Sequence, residues 1–258
     1  MSRRWSIALV VLASLAVAGP AQAAAEETKP VEGVFADDAP GVGEIPEITV
    51  AAPTLRRSYR VIVQQRTRIH RTPGDGATRA LLPFIPSTGN DMALLVAGPA
   101  RRVDGVEWLR VHLPYRPNRS YGWIRADHVE IRENPWRVDV HVDRKLLTVR
   151  RAGRIVLRTR VVTGKPATPT PRGRFAVFQK VREPNTSPLG PWALHLTAHS
   201  DVLHEYQGGP GRAAIHGMRD ELVAPLGASA SNGCVRVPNA TVTRIAGLIP
   251  PGTPVTIR

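Results

Sequence analysis

The chain holds a single cysteine, few aromatic residues and few acids, and each shortage excludes something. One cysteine cannot close an internal disulfide, so no disulfide framework holds this fold together. Aromatics make up only 5% of 258 residues, whereas Gly (22) and Pro (24) are plentiful. That mixture suits short strands joined by turns better than long helices, so the expected class is mainly β. Acids number 21 against 35 Lys and Arg, for a formal charge of +14. Such an excess favours anionic partners, or simply solvates the surface; charge alone does not choose between them. There is no internal repeat. The 42% of hydrophobic residues suffices for a packed core and argues against wholesale disorder.

Long apolar runs are also missing, apart from Ile7 to Ala18. Arg3 and Arg4 precede that run, Gly19 and Pro20 break it, and Ala21-Gln22-Ala23 offers a small-x-small cleavage site. The run is shorter than the roughly 20 residues of a bilayer span. Residues 1–23 therefore read as a cleaved secretory signal, with an uncleaved membrane tether as the alternative. Ser2-Arg3-Arg4 hints at twin-arginine export, but Ser6 sits where a bulky apolar residue is usual. An exported chain, placed in the periplasm or cell wall, is not expected to meet nucleic acid; anionic wall polymers suit its charge better.

Residues 24–57, rich in Ala, Pro, Gly and acids, read as a linker. Short alternating runs follow at Tyr59–Val63, Trp108–Leu113, Gly122–Ile124 and Val129–Ile131, with a turn at Pro73–Gly76. Residues 58–133 resemble a bacterial SH3-like small barrel, by pattern rather than motif. Trp108 and Trp123 read as core aromatics, with a ligand groove as the alternative. A second unit, 136–258, begins after Asn134-Pro135. Val138, Val140 and Val142 alternate with polar residues, and further strands are expected at Leu146–Val149, Ile155–Val162, Arg174–Phe178 and Pro254–Ile257. Thr163–Gly173 reads as a loop and Val242–Leu248 as a short helix.

The lone Cys234 has two readings: a buried small hydrophobe, or a nucleophile. Its surroundings bear on the choice. Ile215-His216-Gly217 precedes Ser231-Asn232-Gly233-Cys234-Val235-Arg236. A thiol attacks only as thiolate, and an imidazole can take its proton. Gly233 permits a tight turn that exposes peptide N–H groups, and Arg236 supplies charge to favour thiolate or hold a substrate carboxylate. The ingredients of acyl transfer lie in one short stretch.

These residues also resemble the YkuD-type L,D-transpeptidase catalytic domain, a bacterial family that cross-links the wall. Gly164-Lys165-Pro166, Thr168-Pro169-Thr170-Pro171-Arg172-Gly173 and Phe175 match upstream parts of that pattern, and the likeness spans 136–258. It implies a β-rich catalytic domain with Cys234 as nucleophile, His216 as proton acceptor and donor, and the Gly217 carbonyl orienting His216. It implies an oxyanion site from the N–H groups of Asn232, Gly233 and Cys234, with no metal and no cofactor. The substrates implied are peptidoglycan stem tetrapeptides, joined through a thioester. Asn232 stands where the family has a second histidine, which removes any tuning of Cys234 by that imidazole.

Ser231, Arg236, Tyr206 and His199 are the expected substrate-binding residues, with Gly208–Gly211 bordering the cleft. His195 and His199 have a spacing that could suit metal on a helix, but Trp192–Thr197 alternates as a strand does. Two other functions stay open: an L,D-carboxypeptidase that hydrolyses stem peptides, and a non-catalytic wall-binding protein. A monomer is expected.

Overall fold

The structure is a computed structural model and describes residues 49–219 and 224–258. Residues 1–23, expected as the signal, lie outside the described residues, as does most of the 24–57 linker. The linker's end is not free: Val50 is 4% exposed and packs with Ala51 into the first hydrophobic core. Two apolar side chains adjoining an existing core are enough to hold that segment down.

The first half contains β1 (Ser58–Val63), β2 (Thr67–Thr72), β3 (Asp75–Leu81), β4 (Ala93–Leu95), β5 (Arg101–Val103), β6 (Val106–His112), β7 (Tyr121–Arg125) and β8 (Val129–Asn134). They form a five-stranded sheet, β3-β2-β7-β6-β5, and a three-stranded sheet, β4-β1-β8. Val61, Val63, Ile69, Leu94, Leu109, Val111 and Ile124 fill the core of this unit. Alternation sends Trp108 and Trp123 to the other face of β6 and β7, opposite Leu109 and Ile124. Both tryptophans are nonetheless buried, at 5% and 8% exposure. Arg101 covers Trp123, and His70 meets Trp108 edge-on. The expected turn at Pro73–Gly76 is the β2–β3 hairpin, with Gly74 and Gly76 at φ of +82° and +65°.

The second half adds β9 (Trp136–His141), β10 (Leu146–Arg151), β11 (Arg154–Arg160), β12 (Thr163–Gly164), β13 (Gly173–Arg182), β14 (Trp192–His199), β15 (Arg212–His216), β16 (Ser229–Ser231), β17 (Val235–Arg236), α1 (Asn239–Leu248) and β18 (Pro254–Ile257). An eight-stranded sheet runs β11-β10-β9-β18-β13-β14-β15-β17. Its β9–β18 and β15–β17 pairs are parallel and the others antiparallel. Val138, Val140, Leu147, Val177, Leu194, Leu196, Ile215 and Ile257 form the core, with Val242, Ile245 and Ala246 of α1 packed into it.

Two local expectations are corrected. Helix α1 starts at Asn239 rather than Val242, because the Asn239 side chain is anchored in both directions on Met218 at 2.8 Å. The expected loop 163–173 opens with strand β12, since Thr163 and Gly164 find a parallel partner in β16.

Leu194, on β14 of the large sheet, is wholly buried. Leu194→Ala should cost about 2–5 kcal/mol through lost burial and a residual cavity. A lower urea midpoint at unchanged slope would show this.

Candidate active site

Strand register assembles the site. β15 pairs with β17 so that Ile215 lies beside Val235 and His216 beside Arg236. Ile215 and Val235 point into the core. Side chains alternate along a strand, so Ala214, His216, Cys234 and Arg236 share the opposite face. All four line one cavity of about 640 Å³.

The turn before Cys234 depends on Gly233, whose φ of +110° is strained for any residue with a Cβ. Ser231 fixes the same turn: its hydroxyl donates to the Cys234 carbonyl at 2.6 Å and accepts the Gly233 N–H at 3.1 Å. The segment after β12 buttresses it from beneath. Lys165 N–H and the Thr168 hydroxyl both donate to the Ser231 carbonyl, at 3.0 and 3.3 Å. A Cβ on Gly164 would strike the Thr168 carbonyl and the Thr170 nitrogen, so this close return of the chain needs glycine. The Gly164–Gly173 segment thus supports the cysteine turn.

His216 is 3% exposed, and its Nδ1 lies 2.6 Å from the Gly217 carbonyl oxygen. A carbonyl only accepts, so the proton sits on Nδ1 and Nε2 keeps its lone pair. Burial pushes the His216 pKa down to about 4; the Gly217 and Leu189 carbonyls oppose this, while Arg236 and His195 add to it. Burial likewise pushes the Cys234 thiol up, against the Ala214 backbone and the Arg236 charge, which pull it down. The resting pair is therefore neutral thiol and neutral imidazole, suited to proton transfer during attack rather than to a standing ion pair.

Residues 135–257 match the YkuD family model, described as the L,D-transpeptidase catalytic domain. The YkuD protein of Bacillus subtilis (strain 168), whose name assigns it provisionally to the L,D-transpeptidases, is 31% identical over 123 residues. Its counterpart in Bacillus licheniformis is also 31% identical over 123 residues. The aligned part is 48% of this chain and 66% of each relative, just short of two thirds of their length. Among solved structures, the NMR structure of the catalytic domain from the E. faecium L,D-transpeptidase aligns at 23% identity, over 48% of this chain and 96% of that one, with a TM-score of 0.35. That superposition is loose, and the similarity of the segment rests on the sequence match.

Several expected site residues take other positions. Ser231 is wholly buried and its hydroxyl is occupied by the turn, so it shapes the site without reaching substrate. Gly233 spends its N–H on Ser231, which withdraws it from the expected oxyanion set. Among the described residues, no hydrogen bond uses the N–H of Cys234. His199 is 2% exposed and does not line the cavity. Its backbone is held from both sides by Asn118 of the β6–β7 connection, at 2.7 and 2.8 Å. Tyr206 does line the cavity, and its hydroxyl accepts a hydrogen bond from Asn232 Nδ2 at 2.9 Å. The Asn232 amide therefore links the cysteine turn to the Tyr206 segment.

Sequence reasoning missed His195, Arg212, Leu189, Met218 and Phe178 as cavity-lining residues, and Ser87 from the first half of the chain. The period-2 alternation of β14 was the available signal for His195, because it puts Leu194 and Leu196 in the core and His195 opposite.

His112, His195, His199 and His216 are each held down to about 4, chiefly by burial. Below the ordinary value of 6.5 the unfolded chain takes up protons that the native state refuses. Stability should therefore fall as pH drops from 6.5 toward 4, read as a decreasing melting temperature across that window. Ser231→Ala should cost about 1–3 kcal/mol by stranding the buried Gly233 N–H, which denaturant titration would measure.

Proposed function

We propose that the chain is a peptidoglycan L,D-transpeptidase with Cys234 as nucleophile. The observation that carries this is the placement of His216: its Nδ1 is 2.6 Å from the Gly217 carbonyl oxygen, and the residue lines the same cavity as Cys234. In the proposed first step, Cys234 Sγ attacks the amide carbonyl between the third, L-centred diamino acid and the terminal D-alanine of a stem tetrapeptide. The thiol proton passes to His216 Nε2. The C–N bond then breaks, the leaving D-alanine amine takes that proton, and a thioester remains. An amine from a second stem attacks the thioester and yields its proton through His216, which restores the thiol and forms the cross-link.

The Cys234 N–H, with that of Asn232, is assigned to the developing oxyanion. Arg236 makes no side-chain hydrogen bond or ion pair among the described residues and lines the cavity, so its guanidinium serves the thiolate and a substrate carboxylate. Export belongs to this reading and rests on the basic start and the Ile7–Ala18 run. So does an SH3-like nature for residues 58–133, supported by their two small sheets around a separate core.

Incubation with a stem tetrapeptide tests the reading. Cross-linked dimer formed by the native chain and lost in Cys234→Ala is expected; tripeptide alone would instead indicate hydrolysis, and full activity in Cys234→Ala would overturn the nucleophile. A carbapenem, whose strained carbonyl mimics the donor amide, should add its mass to the protein at Cys234. Because His216 stays neutral down to about 4, the acylation rate should fall on acidification near that value and not near 6.5. Rates measured by intact-protein mass across that range check the position of the limb.

A further inference from the structure

The excursion between β14 and β15 contributes to the lining of the cavity that holds Cys234. Ser200, Leu203, Tyr206, Gln207, Gly209 and Pro210 of this excursion all line the cavity. Its side chains give it little apolar anchorage: Val202 is 51% exposed and Tyr206 44%. Hydrogen bonds hold it instead. Ser200 N–H donates to the Gly211 carbonyl at 2.8 Å and closes the neck. The first half of the chain then reaches into that neck. Arg116, in the β6–β7 connection, places Nη2 at 2.9, 3.1 and 3.2 Å from the carbonyl oxygens of Ser200, Leu203 and Pro210. Arg212 answers from the other side, donating to the Pro114 carbonyl at 2.9 Å.

We propose that Arg116 is a positioning residue of the active site: by pinning the 200–211 excursion it keeps Tyr206 on Asn232, and so fixes the turn that carries Cys234. The path is continuous. Arg116 binds three carbonyls at the neck, Tyr206 bonds Asn232 Nδ2 at 2.9 Å, and Asn232 lies two residues before the nucleophile. The Asn232 Oδ1 also meets the Thr168 hydroxyl at 3.5 Å, so the residue bridges the excursion and the segment beneath the turn. All three contacts come from Nη2, whose two N–H bonds are shared among the three carbonyls, and the permanent positive charge strengthens each of them. The consequence is that residues 136–258 do not make a complete site. The first half supplies a working part of it rather than acting only as a spacer or a wall-binding unit.

The inference rests on the transpeptidase reading for its chemical readout, and a second readout separates the two. Acylation of Cys234 by a carbapenem is followed by intact-protein mass in the full chain, in Arg116→Ala, in Tyr206→Phe and in the double variant. Arg116→Ala should slow acylation by about tenfold, the scale of one lost charge-assisted hydrogen bond. Arg116→Lys, which keeps the charge on a shorter side chain, should lie between it and the native chain. The double variant should be no slower than Arg116→Ala alone, because both changes break one path. Multiplicative losses, or a rate in Arg116→Ala within twofold of native, would overturn the proposal. A purely structural Arg116 would lower the melting temperature and leave that coupling absent. If Arg116→Ala does not fold, Arg116→Lys takes its place in the cycle.

Hydrogen exchange gives the readout that needs no activity. Amides at 231–234 should exchange faster in Arg116→Ala and in Tyr206→Phe alike; unchanged exchange there would also overturn the proposal. A native chain that resists the carbapenem while this exchange coupling holds would sink the transpeptidase reading and leave the positioning role standing.

Discussion

The parallel pairing of β15 with β17 is the constraint on which the site depends. Two strands of at most five residues meet with Ile215 beside Val235, and a slip of one residue would exchange every side chain between core and cavity. The apolar residues hold the register: Ile215 and Val235 are buried among the residues of the large core, and their neighbours His216 and Cys234 are thereby turned to the other face. The geometry of the candidate site is thus a by-product of core packing one residue away. Support for the register comes from outside the two strands, where Val162 and Arg236 exchange backbone hydrogen bonds at 2.9 and 3.0 Å.

The same burial sets the electrostatics. Desolvation opposes charge on both members of the pair, lowering the imidazole and raising the thiol, while Arg236 disfavours imidazolium and favours thiolate. The arrangement keeps the Cys234 thiol protonated at rest. A desolvated neutral thiol is also less exposed to oxidation than a standing thiolate, which suits a lone cysteine in a chain read as exported. Ser231 contributes by shape alone: it uses both its donor and an acceptor site to hold the Gly233 turn, at the expense of one N–H that could have faced substrate.

Much of this was legible because it is local. Alternation in Val138–Val142, Trp192–Thr197 and Tyr59–Val63 marked strands correctly, since the period of a strand is written in adjacent residues. The candidate pair His216 and Cys234 could be named from short motifs, and the structure places both on one cavity. His199 shows where this stops. A histidine near the site in sequence reads as a cleft residue, yet β14 carries it past the cavity to the seam with Asn118, 81 positions away. The short strands β4, β5, β12, β16 and β17 were missed because two or three residues carry no period.

Residues that differ by long stretches of sequence decided the rest. By itself, the sequence determined a β-rich chain with one thiol, one neighbouring imidazole and a glycine turn, because propensity, spacing and turn chemistry are properties of short segments. Only the tertiary structure decided that Ser231 supports the turn instead of touching substrate. It alone brought Arg116 to the carbonyls of Ser200, Leu203 and Pro210 across 84 to 94 positions. Nothing near Arg116 in the chain announces those acceptors, since carbonyl groups are present at every residue and only the fold selects which of them converge on one guanidinium.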